Sequence, residues 1–198
     1  MQYTIRYSVL LLSFVAFVFA LLGTIPLPYF VRKLSKTYSQ SGEIIVTLWS
    51  MHTTKIELDN GGTSVIASPT PEIRNHRLRC KEERDRFMTL QSFAIMGVVF
   101  GLYAFLMSCL QCFFYLKVKL PLLLLLALSF LSEFILIIVG ISIYQNTGCK
   151  GKSNSFASFK DADYAFGTSF IMHILCCFTY IICLLLTPFT QDLWCGKR

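Results

Sequence analysis

The sequence predicts a membrane protein of the all-α class: a bundle of four transmembrane helices with a small β-containing domain in its longest loop. The composition is the first indication, since 55% of the residues are hydrophobic and only 15% are charged, which is unusual for a soluble domain. Four stretches also carry almost no charge over lengths that match a bilayer core of about 30 Å. Finally, a β-branched, tryptophan-bearing segment lies between the first two of these stretches.

We expect one membrane domain, residues 1–198, with spans at about residues 8–30, 89–116, 120–144 and 165–187. Lipid offers no hydrogen-bond partner to the backbone, so apolar runs of this length must be helices. The first run is about 25 residues long, whereas the apolar core of a signal peptide has about 7–15. Pro26 and Pro28 then end the run. These features favour a retained span over a cleaved signal peptide.

Four spans place both termini on one side of the membrane and the two larger loops on the other. The loop of residues 32–86 is long enough for an ordered subdomain. The second loop, residues 145–163, is rich in Gly, Ser, Asn and Lys and is typical of irregular structure. The turn Lys117–Lys119 is so short that it must join antiparallel helices.

The long loop contains three segments with the composition of strands. Ile44–Trp49 is β-branched and aromatic, and Thr53–Leu58 alternates apolar with charged residues. The turn signal Asn60–Gly62 precedes a third segment, Thr63–Ala67. We expect a small twisted sheet, with Trp49 at the membrane interface. The alternative is a loosely ordered loop with one interfacial tryptophan.

Small residues recur every three or four positions in the first two spans, which places them on one face of each helix. In the second span the pair Gly97 and Gly101 has the spacing that lets helix backbones approach closely. We favour packing within the bundle. A face for self-association on the second span is the alternative.

Glu133 lies midway along the third span, where a charged acid costs about 2.5–3.5 kcal/mol by insertion scales. His173 in the fourth span is its best partner, because the two residues lie at similar depths below the same membrane surface. We favour a structural role for this intramembrane polar pair. Proton or ion transport through Glu133 and His173 is the alternative.

Five of the eight cysteines lie in the spans, where a thiol usually behaves as a small apolar group. Cys80 and Cys149 lie one in each larger loop and form the candidate disulfide if that side of the membrane is oxidising. No phosphate-binding glycine loop, metal-binding histidine motif or catalytic triad context is present in the sequence. We therefore expect no catalysis, no cofactor and no metal site. Asn-x-Ser/Thr sequons are also absent, so N-glycosylation is not predicted.

The net charge of +7 is spread over the segments that flank the spans. No segment has the basic and aromatic pattern of a nucleic-acid groove, so the lipid bilayer is the expected partner. Thirteen of the 18 Lys and Arg residues lie on the loop side, and the positive-inside rule taken literally would place that side in the cytoplasm. The rule weakens for loops near about 60 residues, so charge alone leaves the orientation open.

A short motif at the end of the first predicted strand of the long loop resembles the signature of the amastins, surface membrane proteins of kinetoplastid parasites. That signature runs from a cysteine through an apolar residue, Thr or Ser, Leu, Trp and Gly, then a basic or Gln residue and a polar residue, to a closing cysteine. The matching residues of this chain are Val46, Thr47, Leu48, Trp49, His52 and Thr54. Ile45 and Lys55 stand where the cysteines would be, and Ser50 replaces the glycine. The resemblance therefore implies a divergent amastin-like protein without the usual loop disulfide.

Other motifs look similar in the same order, so the resemblance covers nearly the whole chain. They are Gly23-Thr24, Cys80 before Arg84–Phe87, Gln91-x-Phe93-Ala94-Ile95, Cys149, and Tyr164–Gly167 followed by Phe170. The plan is also similar, more distantly, to the claudins, whose first loop holds a sheet with a Trp-bearing motif. The resemblance to these families implies a multi-pass protein of the plasma membrane with cytoplasmic termini. The loops of residues 32–86 and 145–163 would then be extracellular, against the charge count. The loops would then lie on an oxidising side, where Cys80 and Cys149 could pair.

The sequence and the resemblance together predict a non-enzymatic surface membrane protein with a structural or interaction role, in adhesion or membrane organisation. Its partners would be the bilayer, host or neighbouring membrane proteins, and other copies of itself. Two alternatives stay open. One is a small-molecule or proton transporter or channel that uses Glu133 and His173; the other is an accessory subunit of another membrane protein.

Overall fold

The computed structural model confirms the predicted class, four long apolar helices and a small sheet. It describes residues 2–34, 40–60, 63–66, 73–74, 81–114, 118–146 and 158–190. The helices are α1 (Gln2–Thr24), α2 (Lys81–Phe113), α3 (Lys119–Gln145) and α4 (Thr168–Leu186), the last followed by a 3-10 turn at Thr187–Phe189. Each of the four is long and apolar enough to cross a membrane.

The first helix is shorter at its C-terminal end than the predicted span, which ran to residue 30. α1 ends at Thr24, and a strand begins at Pro28. The reason is the pair Pro26 and Pro28, since proline lacks an N–H donor and disfavours helical geometry in the residue before it. The apolar residues that follow Pro28 therefore belong to the sheet.

The second helix begins at Lys81, before the predicted start of its span at residue 89. Its 33 residues extend over about 50 Å at 1.5 Å per residue, so it is longer than a bilayer core of about 30 Å. Glu82 and Glu83 lie in its first turn, where acidic side chains are favourable next to the positive end of the helix dipole. Arg86 also pairs with Glu82 one turn away, which supports helix in this charged segment.

The sheet has six strands, and five of them follow the order β4-β3-β2-β1-β6, with β5 pairing the end of β3. The strands are β1 (Pro28–Leu34), β2 (Gln40–Thr47), β3 (Ser50–Asn60), β4 (Thr63–Ile66), β5 (Ile73–Arg74) and β6 (Ala165–Phe166). All pairings are antiparallel. The three strands predicted in the long loop correspond to β2, β3 and β4, so the expected sheet is present.

Three of the strands, β1, β5 and β6, were not predicted. β1 reads in the sequence as the end of the first apolar span, and β6 as the start of the fourth. The two pair with each other through Phe30 with Phe166 and Val31 with Ala165. β6 therefore brings the second loop into a sheet that otherwise belongs to the first.

The chain forms two compact units. The bundle unit comprises Met1–Leu22, Phe93–Leu136 and Met172–Arg198, and the sheet unit comprises Gly23–Ser92 and Ile137–Ile171. The bundle unit has a buried core that contains both small and large side chains. Its members are Val9, Ala16, Ala20, Ala104, Leu122, Leu126, Cys176, Tyr180 and Cys183.

Candidate functional site

The signature residues form a tight turn between β2 and β3 in the sheet unit. The hydroxyl of Thr47 accepts hydrogen bonds from the backbone N–H groups of Trp49 at 3.2 Å and Ser50 at 2.9 Å. It also donates its own proton to the carbonyl oxygen of Ser50 at 2.9 Å. A side chain at this position must therefore both donate and accept, which explains why the signature requires Thr or Ser there.

The same turn is attached to two helix ends of the sheet unit. Trp49 donates its indole N–H to the carbonyl oxygen of Thr24, the last residue of α1, at 2.7 Å. The side-chain amide of Gln91 on α2 donates to the carbonyl oxygen of Leu48 at 2.9 Å. The last carbonyl groups of a helix have no partner within the helix, so Trp49 supplies one that α1 itself cannot. The Thr47–Ser50 turn thus connects the β2–β3 hairpin to α1 and α2.

The remaining signature positions lie beside this turn. Val46 and Leu48 are fully buried. His52 and Thr54 lie in β3, where their backbones pair with Ile45 and Glu43 of β2; nothing in the described side chains bears on their role. The buried members of the signature fix the local fold of the sheet.

An aromatic cluster attaches β1 to the α3 and α4 segments of the sheet unit. Phe30 is fully buried and stacks on Phe159 at 5.0 Å and Tyr144 at 6.0 Å between ring centroids. Tyr29 meets Phe170 edge-on at 5.5 Å, and its hydroxyl occupies the space in which a side chain at Gly140 of α3 would begin. Sequence analysis missed Tyr29 and Phe30, although two prolines followed by aromatic residues could have suggested a strand.

Gly167 makes the turn from β6 into α4 possible. Its N–H donates to the carbonyl oxygen of Tyr29 at 2.8 Å, and a Cβ atom at this position would collide with the carbonyl group of Pro28. Only glycine allows the two backbones to approach this closely. The Tyr164–Gly167 motif therefore serves the contact between β1 and the start of α4.

The bundle unit contains the second candidate site, in which the structure brings Glu133 and His173 together. Oε2 of Glu133 and Nδ1 of His173 are 2.7 Å apart, and both side chains are 0% exposed. A single proton makes this pair electrically neutral whether it resides on the carboxyl or on the imidazole. A neutral, hydrogen-bonded pair avoids most of the desolvation cost of an isolated buried charge.

Gly97 and Gly101 face this polar group from α2. A Cβ atom at Gly97 would collide with Oε1 of Glu133, and its distance to Cδ of the same carboxyl would be 3.2 Å. A Cβ atom at Gly101 would collide with the hydroxyl of Tyr180 on α4. The two glycines thus make room for polar side chains from α3 and α4.

The rest of this row of small residues is also buried, at Ala94, Ala104 and Ser108. The row points into the protein, and its spacing serves contacts within one chain. The large exposed side chains of α2 lie on other faces of the helix, and they include Val99, Leu102, Tyr103 and Leu106.

The described cysteines are free thiols within the helices: Cys109, Cys112, Cys176, Cys177 and Cys183. The thiol of Cys176 donates to the carbonyl oxygen of Ala16 at 3.2 Å. Cys80 and Cys149 lie outside the described residues, so their pairing stays a prediction. Over the part of the chain that the structure describes, no three His, Cys, Asp or Glu side chains are grouped to hold a metal ion.

Four helices that can each cross a membrane, together with a small sheet, define a multi-pass membrane protein of the four-span class. The chain matches the family model of the amastin surface glycoproteins over residues 14–186. That range covers most of the sequence, so the chain belongs to the amastin family. Comparison with curated proteins finds no match.

Proposed function

We propose that this chain is a structural or interaction protein of the plasma membrane, acting in adhesion or membrane organisation without catalysis. Its termini would lie in the cytoplasm and its residue 32–86 loop outside. The observation that carries the proposal is the attachment of the Thr47–Ser50 turn to α1 and α2 through Trp49 and Gln91. A sheet held by such contacts offers a rigid surface, which lowers the entropic cost of binding host or neighbouring membrane components.

The alternative of transport through Glu133 and His173 has less support. Both side chains are fully buried within the bundle unit, whereas a carboxyl on an ion or proton pathway faces a water-filled cavity or belongs to a relay that continues toward the membrane surfaces. The neighbours that surround the pair include Gly97 and the thiol of Cys176. These contacts favour a polar link that holds helices together.

The test of orientation and exposure is a short epitope tag inserted between Asn60 and Thr63 of the full chain, expressed in its native type of cell. We expect antibody labelling on intact cells, equal to the labelling after permeabilisation. A tag appended after Arg198 is the matched control and should be labelled only after permeabilisation. The reverse pattern, with the loop tag labelled only in permeabilised cells, would contradict a role at the cell surface.

Function is then tested by deleting the protein and measuring adhesion of the cells to host cells or to one another. The deletion should reduce adhesion or alter membrane organisation, and re-expression of the wild-type chain should restore it. Re-expression of Glu133→Gln should restore it as well, if that variant reaches the surface in normal amount. A proton flux or solute uptake that depends on Glu133 would instead support a transporter.

A stable complex in mild detergent would favour the accessory-subunit alternative. Purification of the tagged chain should recover it alone or with further copies of itself. Recovery of one other membrane protein in constant proportion would contradict the proposal and assign the chain to that complex.

A further inference from the structure

A second set of polar atoms lies next to the Glu133–His173 pair and is not used by it. Oε1 of Glu133 and the hydroxyl of Tyr180 are both buried, and neither has a hydrogen-bond partner at good geometry among the described residues. A buried polar atom without a partner costs about 1–3 kcal/mol. Two such atoms in one core indicate that something binds between them.

The neighbours of Tyr180 leave its hydroxyl oxygen available. Ser129 and Cys176 lie beside this hydroxyl, but each directs its own proton elsewhere. Ser129 donates to the carbonyl oxygen of Leu125 at 2.8 Å, and Cys176 donates to that of Ala16 at 3.2 Å. Neither therefore offers a proton to Tyr180.

The two glycines of α2 place the two oxygens about one helical turn apart along this helix. Oε1 of Glu133 occupies the space of a Cβ atom at Gly97, and the hydroxyl of Tyr180 occupies that of a Cβ atom at Gly101. Cβ positions four residues apart on a helix are about 5–6 Å from each other. Two hydrogen bonds of about 2.8 Å through one water molecule span this distance.

We propose that a single water molecule is bound between Glu133 and Tyr180, against the glycine face of α2. The water donates one proton to Oε1 of Glu133 and the other to the hydroxyl oxygen of Tyr180, which receives no proton from its neighbours. The Tyr180 hydroxyl directs its own proton to the oxygen of Ser129, which lies beside it and still has a lone pair to accept it. Two to four hydrogen bonds are typical of a buried water in proteins.

The bound water joins two groups that otherwise stand apart. It extends the His173–Glu133 pair into a chain of hydrogen bonds that reaches Tyr180, and so links α3 to α4 at two levels. This role differs from transport, because the chain begins and ends at buried side chains. It also explains the residue type at Gly97 and Gly101, since any larger residue would take the space of the two oxygen atoms.

The test is water-edited solid-state NMR of the full chain in bilayers of deuterated lipid, with ¹³C-labelled Glu and Tyr. We expect magnetisation to pass from an immobilised water to the Glu133 carboxyl carbon and the Tyr180 Cζ with the same build-up time. Tyr103, which is exposed on α2 within an apolar span, is the dry control. Glu82, which is exposed in the first turn of α2, is the wet control.

Two variants then decide the geometry. Tyr180→Phe removes one partner of the water, and Gly101→Ala fills the space of the hydroxyl, so either change should abolish the transfer to Glu133. A transfer to Glu133 that is unchanged in Tyr180→Phe would overturn the bridge. If neither variant folds, the wild-type spectrum is sufficient, because the lack of a signal at either carbon, or a direct Tyr180–Glu133 contact without water, overturns the proposal.

Discussion

The indole N–H of Trp49 lies 2.7 Å from the carbonyl oxygen of Thr24, where α1 ends. The residues are 25 positions apart, and the contact closes the chain between the first helix and the hairpin of β2 and β3. The tryptophan of the family signature thus acts as a partner for a helix end. Its importance to the fold can be measured directly.

Trp49→Phe should lower the free energy of unfolding by about 0.5–1.5 kcal/mol, the usual net contribution of one hydrogen bond, because the contact is only partly buried. The aromatic ring is kept, so most of the apolar burial is preserved. Thermal unfolding in lipid nanodiscs measures the effect. Tyr103→Phe, on an exposed face of α2, is the control and should change little; equal stability of the two variants would show that the indole contact contributes nothing.

Thr47→Val should also be destabilising, by about 1–3 kcal/mol, because the N–H of Ser50 loses its acceptor in a buried turn. Valine has nearly the same shape as threonine, so the loss isolates the hydroxyl. Thr47→Ser keeps the hydroxyl and should retain most of the stability. A serine variant as unstable as the valine variant would mean that the methyl group matters instead.

Loss of one member of the Glu133–His173 pair should cost about 3–5 kcal/mol, as for other buried pairs that lose a partner. His173→Ala and Glu133→Ala are the single changes, and replacement of both residues by leucine should cost less than the sum of the two. Unfolding of each variant in nanodiscs gives the coupling energy, with Glu82→Gln on the surface as control. Additive effects would indicate that the two side chains do not depend on each other.

Cys80 and Cys149 should form one disulfide when the chain is taken from the cell surface. Alkylation without reduction, followed by mass spectrometry of the peptides, should leave both residues unmodified and joined. Cys109, a free thiol near the C-terminal end of α2, should be alkylated in denaturant and serves as the control. Full alkylation of Cys80 and Cys149 in the unreduced protein would rule out the bond.

The sequence predicted the helices well because a bilayer leaves the backbone no other structure. It also predicted β2, β3 and β4, because their β-branched residues favour strands over helices. It did not predict β1, since Tyr29 and Phe30 continue an apolar run. Pro26 and Pro28 mark the end of the helix, but β1 pairs with β6, whose residues lie far away in the chain. Tertiary pairing of residues far apart in the chain carries no local signal.

The candidate sites were predicted in part. The depth of Glu133 and His173 along their helices was enough to suggest that they meet. The spacing of Gly97 and Gly101 predicted a close approach, but no rule of spacing identifies what approaches. That a carboxyl and a phenol fill the space depends on the rotation of α3 and α4, which packing sets and sequence periodicity does not.

The pairing of Phe30 with Phe166 has a consequence for biosynthesis. A ribosome releases β1 early, soon after the first helix, whereas β6 emerges only just before the last helix begins. The edge of β1 that pairs with β6 must therefore stay open through most of translation, and the sheet is complete only when the residues just before the final helix have been made. Truncation before β6 should leave an incomplete sheet for quality control to recognise.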